Sequence, residues 1–171
     1  MSTHEHKKEA PKSVTCKVIT VSDTRDQNTD KSGKLMIELL EQEGHRVGEY
    51  VIVKDEEGPI RDEILKGCQN HEIEVIITNG GTGIALRDVT IETVQKLFDK
   101  EMSGFGELFR MLSYQEDIGS AAILSRAIAG VIGNKAVFST PGSSGAVKLA
   151  MNKLILPELG HVVRELKKDL Q

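Results

Sequence analysis

The residues of this chain best suited to chemistry are two carboxylates beside a glycine-rich turn. The stretch Val75-Ile76-Ile77-Thr78-Asn79-Gly80-Gly81-Thr82-Gly83 carries an apolar run straight into that turn, and Arg87-Asp88-Val89-Thr90 follows. A short continuous apolar run suits a strand covered on both faces. Three glycines among the six residues after it let the backbone turn sharply and come close to a ligand. Unpaired N–H groups in such a turn cradle phosphate. Asp88 brings a negative charge to the same place, which is unfavourable unless a cation such as Mg²⁺ lies between carboxylate and phosphate. Asp55 ends a second predicted strand at the same expected edge. Together, Asp55 and Asp88 could clamp Mg²⁺ for phosphoryl or nucleotidyl transfer. The structural alternatives are a helix-start cap for Asp55 and a loop cap for Asp88.

The elements that must position these groups alternate. Val14 to Val21 is predicted as strand, Asp30 to Glu43 as helix, Arg46 to Val53 as strand, Pro59 to Asn70 as helix and Ile73 to Thr78 as strand, a βαβαβ run. Asp30 or Ser32 can cap the first helix, which ends at Gly44. Ile60, Ile64, Leu65 and Cys68 follow helical spacing, with Arg61, Glu63 and Lys66 toward water. Right-handed crossovers then give a mainly parallel sheet. After the glycine turn, Thr90 can cap a helix bearing Ile91, Val94, Leu97 and Phe98. The segment holding Phe98, Phe105, Phe109 and Tyr114 with Gly104 and Gly106 reads as irregular, its rings gathered as a group for a subunit interface. A helical stretch around Ser120 to Ser125 follows. Ile128 to Ile132 and Ala136 to Ser139, split by Gly133-Asn134-Lys135, read as a hairpin. The chain ends in helix, with Pro157 starting the last one or bending its predecessor.

Three loops leave predicted strands toward helices: Ser22 to Gly33, Asn79 to Asp88, and Pro141 to Gly145. In an open parallel sheet such loops gather at the carboxyl edge, where ligands bind. Hydroxyls at Ser22, Thr82, Ser143 and Ser144 suit a ligand with several phosphates or carbonyls.

Other classes are disfavoured. The chain has 171 residues, enough for one domain over 13–171 behind a polar tail at 1–12 that is expected to be flexible. His4 and His6 lie on that tail, where a metal site would lack its other ligands and a fixed geometry. A formal net charge of −4 argues against bulk nucleic-acid binding. No apolar stretch of membrane-spanning length or signal-peptide pattern is present, so a cytoplasmic protein is expected. Cys16 and Cys68 lack metal or redox spacing and read as small core residues. Gly80-Gly81-Thr82-Gly83-Ile84 matches neither the Walker lysine motif nor a dinucleotide fingerprint. His45, His71 and His161 read as surface histidines, which leaves no hydrolase triad.

Taken together, the motifs resemble one family. Thr20-Val21-Ser22-Asp23-Thr24 with Asp30 and Ser32-Gly33, Gly80-Gly81-Thr82-Gly83 with Arg87-Asp88-Val89-Thr90, Gly104-Phe105-Gly106-Glu107, Leu124-Ser125-Arg126, and Pro141-Gly142-Ser143 occur in the order found in the molybdopterin-binding proteins of molybdenum-cofactor biosynthesis, the MoaB/MogA group. The surroundings at Gly106 to Arg110 and Ser143 to Val147 look more like the MoaB branch. The resemblance covers nearly everything after the tail. It departs at Asn79, where members commonly carry threonine or serine.

The resemblance implies a three-layer α/β/α fold with a mainly parallel sheet and a small hairpin, assembled as a homotrimer or homohexamer. It implies adenylyl transfer from Mg-ATP to the terminal phosphate of molybdopterin, with pyrophosphate leaving. Carried over, Asp55 and Asp88 become the catalytic and Mg²⁺-binding pair. Ser22, Asp23, Asp30, Gly80, Gly81, Thr82 and Gly83 become substrate contacts, and Pro141, Gly142, Ser143 and Ser144 form the pterin side. Other cofactor-assembly enzymes are expected partners, and the alternative is a non-catalytic, oligomeric molybdopterin-binding module. A phosphate monoester is already an anionic nucleophile and needs positioning and charge neutralisation more than a general base, so the lack of a histidine base fits this chemistry.

Overall fold

Alternating side chains sort the central strands between two helical layers. The computed structural model describes residues 2–170. Helix α1 (Thr3–Lys8) precedes β1 (Thr15–Val21), α2 (Lys31–Gln42), β2 (Arg46–Val53), α3 (Glu57–Gln69) and β3 (Val75–Asn79). Then come α4 (Thr90–Gln95), the short β4 (Lys100–Glu101), α5 (Ser103–Glu116) and a 3₁₀ turn at Gly119–Leu124. The hairpin of β5 (Ile128–Ile132) and β6 (Lys135–Thr140) leads to α6 (Ser144–Ala150), a π-helical stretch at Met151–Ile155 and α7 (Leu156–Lys167).

The six strands lie in the order β2-β1-β3-β6-β5-β4. The first four are mutually parallel, and β5 and β4 add an antiparallel edge. Cys16 and Val18, Val75 and Ile77, and Ala136 and Phe138 face a layer that contains Met36 and Leu40 of α2, Phe105 and Phe109 of α5, and residues of α6 and α7. Ile19, Val21, Ile76 and Val137 face the other layer, with Ile60 and Ile64 of α3 and Val94 of α4. Each fully buried side chain of this size contributes roughly 1.5–3 kcal/mol. Burial pushes the Cys16 thiol up to about 12, as for an inert core residue.

The expected βαβαβ run, hairpin and three layers are present. Asp30, rather than Ser32, caps α2 by accepting from Gly33 N–H at 3.0 Å. Pro157 lies at the start of α7.

Four expectations differ from the structure. Residues Thr3–Lys8 of the expected flexible tail form a helix closed by a Ser2/Glu5 capping box and held on α7, where Arg164 donates to Glu9 at 2.6 Å. Most of the segment read as irregular, from Ser103 onward, is the 14-residue α5. Its rings do not form a surface group: Phe105 and Phe109 are buried, Phe105 packs edge-on to Phe138 with ring centroids 5.3 Å apart, and Tyr114 is exposed. Thr90 caps nothing, since Val89 holds the N-cap position of α4. Glu63 turns inward to the buried Lys17, 2.8 Å from its amine, and Glu49 lies 3.0 Å from the same amine.

Candidate functional site

The chain runs from β1 outward to β2 and then back across to β3 on the other side of β1, so the sheet reverses direction between β1 and β3. Ligands of open α/β sheets bind outside the carboxyl ends of the strands at such a point. A cleft of about 500 Å³ opens there, a size suited to a small-molecule ligand. All four parallel strands contribute to it: Val21 to Arg25 after β1, Asp55 after β2, Gly80 to Gly83 with Arg87 and Asp88 after β3, and Pro141 and Gly142 after β6. Leu124, Ser125 and Arg126 complete the lining.

The glycines are required by geometry. Gly80 and Gly81 hold φ of +98° and +67°, a region that side chains strain to enter. A Cβ on Gly80 would collide with the Val21 carbonyl. Gly80 N–H donates to Thr140 O at 3.1 Å, whereas Gly81, Thr82 and Gly83 donate to no protein acceptor among the described residues. Their N–H groups are therefore available to an anion.

Asp55 and Asp88 flank this turn. A Cβ on Gly81 would lie 2.8 Å from Asp55 Oδ1 and collide with Thr90 Oγ1, and one on Gly83 would lie 2.5 Å from Asp88 Oδ2. Asp55 Oδ1 and Thr90 Oγ1 are buried without a hydrogen-bond partner among the described residues. Burial, and then the charge of Asp88, push the Asp55 carboxyl above its ordinary range. Two carboxylates, an orphaned hydroxyl and a space that a methyl group would fill make an all-oxygen cradle for a hard divalent cation, so the residues present fit Mg²⁺. Asp88 also serves the turn itself, its Oδ2 accepting from Ala85 N–H at 3.0 Å.

Asp23 ties three loops together. Its Oδ1 accepts from Asp55 N–H at 3.0 Å and its Oδ2 pairs with Arg87. Ser22 lines the cleft, with its hydroxyl accepting from Thr24 and Arg25 N–H at 3.2 and 3.1 Å.

Other candidates lie elsewhere. Asp30 is fully buried beneath the site, capping α2 and accepting from Tyr50, so it does not line the cleft. Ser143 and Ser144 are exposed beyond the lining, and Ser143 caps α6 by accepting from Ala146 N–H at 3.2 Å. Asn79 is buried, donating to Thr20 Oγ1 at 3.0 Å, so its side chain supports the sheet rather than facing the cleft. His45 is half-buried and accepts from Val14 N–H at 3.1 Å instead of lying free at the surface.

Two arginines hold the cleft's loops through contacts that residue type alone does not reveal. Arg126 donates to Thr82 O at 3.0 Å, to Gly83 O at 2.6 Å and to Asp88 O at 3.3 Å while pairing with Glu92. Arg25 reaches Ser32 Oγ at 2.5 Å and Gly142 O at 3.2 Å. The signals were present in the Leu124-Ser125-Arg126 motif and in the position of Arg25 just after Thr24, but their partners are set by tertiary structure.

Comparison with known proteins places this arrangement in a class. A family model described as a probable molybdopterin binding domain matches residues 17–161, and the chain belongs to that family. More particularly, it is 67% identical to molybdenum cofactor biosynthesis protein B of Bacillus subtilis (strain 168) over 169 residues, covering 99% of each chain. A crystal structure of a molybdenum cofactor biosynthesis protein B superposes with a TM-score of 0.91 at 62% identity, covering 94% of this chain and 99% of the other. The tungsten cofactor synthesizing protein MoaB from Pyrococcus furiosus superposes at 0.81 with 42% identity, covering 92% and 99%. The chain is thus a molybdopterin-binding-domain member of the molybdenum cofactor biosynthesis proteins. No helix among the described residues is long and apolar enough to cross a membrane.

Proposed function

We propose that this chain binds molybdopterin and Mg-ATP in the β1/β3 cleft and transfers the adenylyl group to the terminal phosphate of molybdopterin. An oxygen of that phosphate forms a bond to the α-phosphorus of ATP as the bond from that phosphorus to the pyrophosphate oxygen breaks. The observation that carries this reading is the pairing of Asp55 and Asp88 beside a turn with three undonated N–H groups.

Each group has a task in this reaction. The N–H groups of Gly81, Thr82 and Gly83 receive phosphate oxygens, where fixed dipoles stabilise the charge that develops on the transferring group. Asp55 and Asp88, with the Thr90 hydroxyl, would hold Mg²⁺, which when bound offsets phosphate charge. Arg87 and Arg25 line the same cleft and bring positive charge to an anionic ligand. Pro141 and Gly142 form the wall assigned to the pterin.

The reading extends to assembly. Leu108, Met111 and Tyr114 of α5, with Ile118, Ile123 and Leu124 just beyond it, are exposed. A homotrimer or homohexamer would cover such apolar residues, and the surface could equally receive another cofactor-assembly enzyme. Light scattering coupled to gel filtration tests this, and a monomer at micromolar concentration would rule out self-assembly.

The test of the chemistry is pyrophosphate release from Mg-ATP in the presence of molybdopterin, with mass spectrometry of the adenylylated product. Molybdopterin binding without product would instead identify a non-catalytic binding module.

A further inference from the structure

On a mobile tail His6 would have neither further ligands nor a fixed geometry for a metal. The packing of α1 on α7 supplies both. The capping box orders α1, with Glu5 N–H donating to Ser2 Oγ at 3.3 Å and Ser2 N–H to Glu5 Oε2 at 2.6 Å. Lys7 pairs with Glu158 and Arg164 with Glu9, which fixes the helix against α7. In this arrangement the His6 ring meets the His161 ring edge-on, with centroids 5.9 Å apart.

Three ligand atoms converge. His161 and Glu165 are four residues apart on α7 and so project from one helix face. Glu165 Oε1 lies 3.2 Å from His6 Nδ1 and 4.0 Å from His161 Nε2. The ligand atoms of His6, His161 and Glu165 all fall within 4.8 Å of one another, and all three residues are half-buried. The orientation of His161 is a separate observation. Its Nδ1 lies 2.9 Å from Glu158 Oε2, so the ring proton belongs on Nδ1 and the lone pair of Nε2 faces the other two ligands. A carboxylate behind a histidine is the outer-shell arrangement that orients metal-binding imidazoles.

We propose that His6, His161 and Glu165 bind one Zn²⁺ ion, with Glu158 orienting His161, and that the ion staples α1 to α7. Bonds of about 2.0–2.2 Å in a tetrahedral site separate the ligand atoms by roughly 3.3–3.5 Å, so His6 and Glu165 already stand at about that spacing and His161 closes in by about an ångström, with water as the fourth ligand. The surrounding charges decide which cation fits. Lys7 pairs with Glu158, and Arg164 and Lys168 lie 3.0 and 2.8 Å from Glu165 oxygens. With its carboxylates largely offset, the site offers little to a hard cation that needs several free oxygens. Two imidazoles still favour Zn²⁺. The site shares no residue with the β1/β3 cleft, so it stands independently of the proposed reaction.

The test uses the untagged full-length chain after chelator treatment, with Zn²⁺ titrated near neutral pH by calorimetry. One ion per chain is expected, with a higher melting temperature and slower amide exchange over Thr3–Lys8. His6→Ala, His161→Gln and Glu165→Gln should each weaken binding by at least about tenfold, and Glu158→Gln by about 10–100-fold through loss of the outer-shell contact. His4→Ala should change nothing, because His4 lies outside the cluster. Absence of binding would overturn the proposal. So would an effect of His4→Ala equal to that of His6→Ala, or full binding by a folded His161→Gln variant, since either would show chelation by the N-terminal histidines alone.

Discussion

The guanidinium of Arg126 donates to the carbonyl of Gly83 at 2.6 Å, joining the loop that leads into β5 to the turn beside the two aspartates. The same group reaches Thr82 O and Asp88 O, so it grips the turn at both ends. Arg126→Ala should release Gly80 to Asp88 and lower Mg-ATP affinity by about tenfold, or about 1.4 kcal/mol. Arg126→Lys keeps the charge but loses the planar fork and should recover only part of that loss. Amide exchange across the turn, measured beside nucleotide titration, checks this. Unchanged exchange in the alanine variant would show that the turn holds its shape without Arg126.

Asp88 has two duties that one substitution separates. Its carboxylate receives Ala85 N–H, and its charge lies in the cleft beside the proposed phosphate site. Asp88→Asn can keep the hydrogen bond through the amide oxygen while removing the charge. Transfer should fall by roughly 10²–10³ with the melting temperature nearly unchanged, as for deletion of one electrostatic group from a preorganised site. Single-turnover formation of adenylylated product decides the point. Near wild-type turnover would reduce Asp88 to a turn cap.

What the sequence disclosed follows from how local each determinant is. The continuous apolar run Val75 to Ile77, the Asp30 cap and the Gly133-Asn134 turn are read within a few residues, and those elements stand where expected. Helix α5 was hidden because Gly104 and Gly106 read as breakers. Gly106 is there because a Cβ would lie 2.5 Å from the Ala127 carbonyl, a contact between elements distant in sequence. Helix α1 depends on docking against α7 as well as on its own cap. At the cleft, the glycines and both aspartates were visible as a pattern. The partners of Asp30 and Ser143 were not, and both side chains turn out to be occupied with capping helices. Arg126 acts through backbone carbonyls, which leave no trace in residue type.

Ser143 therefore predicts a stability effect more than a binding effect. Removing its hydroxyl leaves Ala146 N–H without its cap at the start of α6. Ser143→Ala should cost about 0.5–2 kcal/mol of stability, whereas Ser143→Gly should cost only a few tenths. Denaturant unfolding of both variants, beside molybdopterin titration, tests this. A large loss of molybdopterin affinity in both variants, with stability intact, would return Ser143 to the pterin side.

Asp55 couples function to stability with opposite signs. Burial and the charge of Asp88 raise its carboxyl above the ordinary range in the folded protein. The native state thus holds this proton more tightly than the unfolded chain does. The resulting stabilisation is fully present below the ordinary carboxylate range and is lost as pH rises through the raised value. At neutral pH without metal, Asp55 is a half-buried carboxylate with Asp88 nearby, and its buried Oδ1 receives no hydrogen bond among the described residues. Asp55→Asn should therefore raise the metal-free melting temperature at neutral pH, and the gain over wild type should shrink on acidification. The same variant should lose nucleotide transfer and most of the thermal shift that Mg²⁺ gives the wild type. That wild-type shift should itself grow as pH rises across the raised Asp55 range, because the cation binds the carboxylate and not the acid. Thermal melts of both proteins with and without Mg²⁺ across that range give every quantity needed. A lower metal-free melting temperature for Asp55→Asn at neutral pH would mean that Asp55 stabilises the fold and is not held in reserve for a cation.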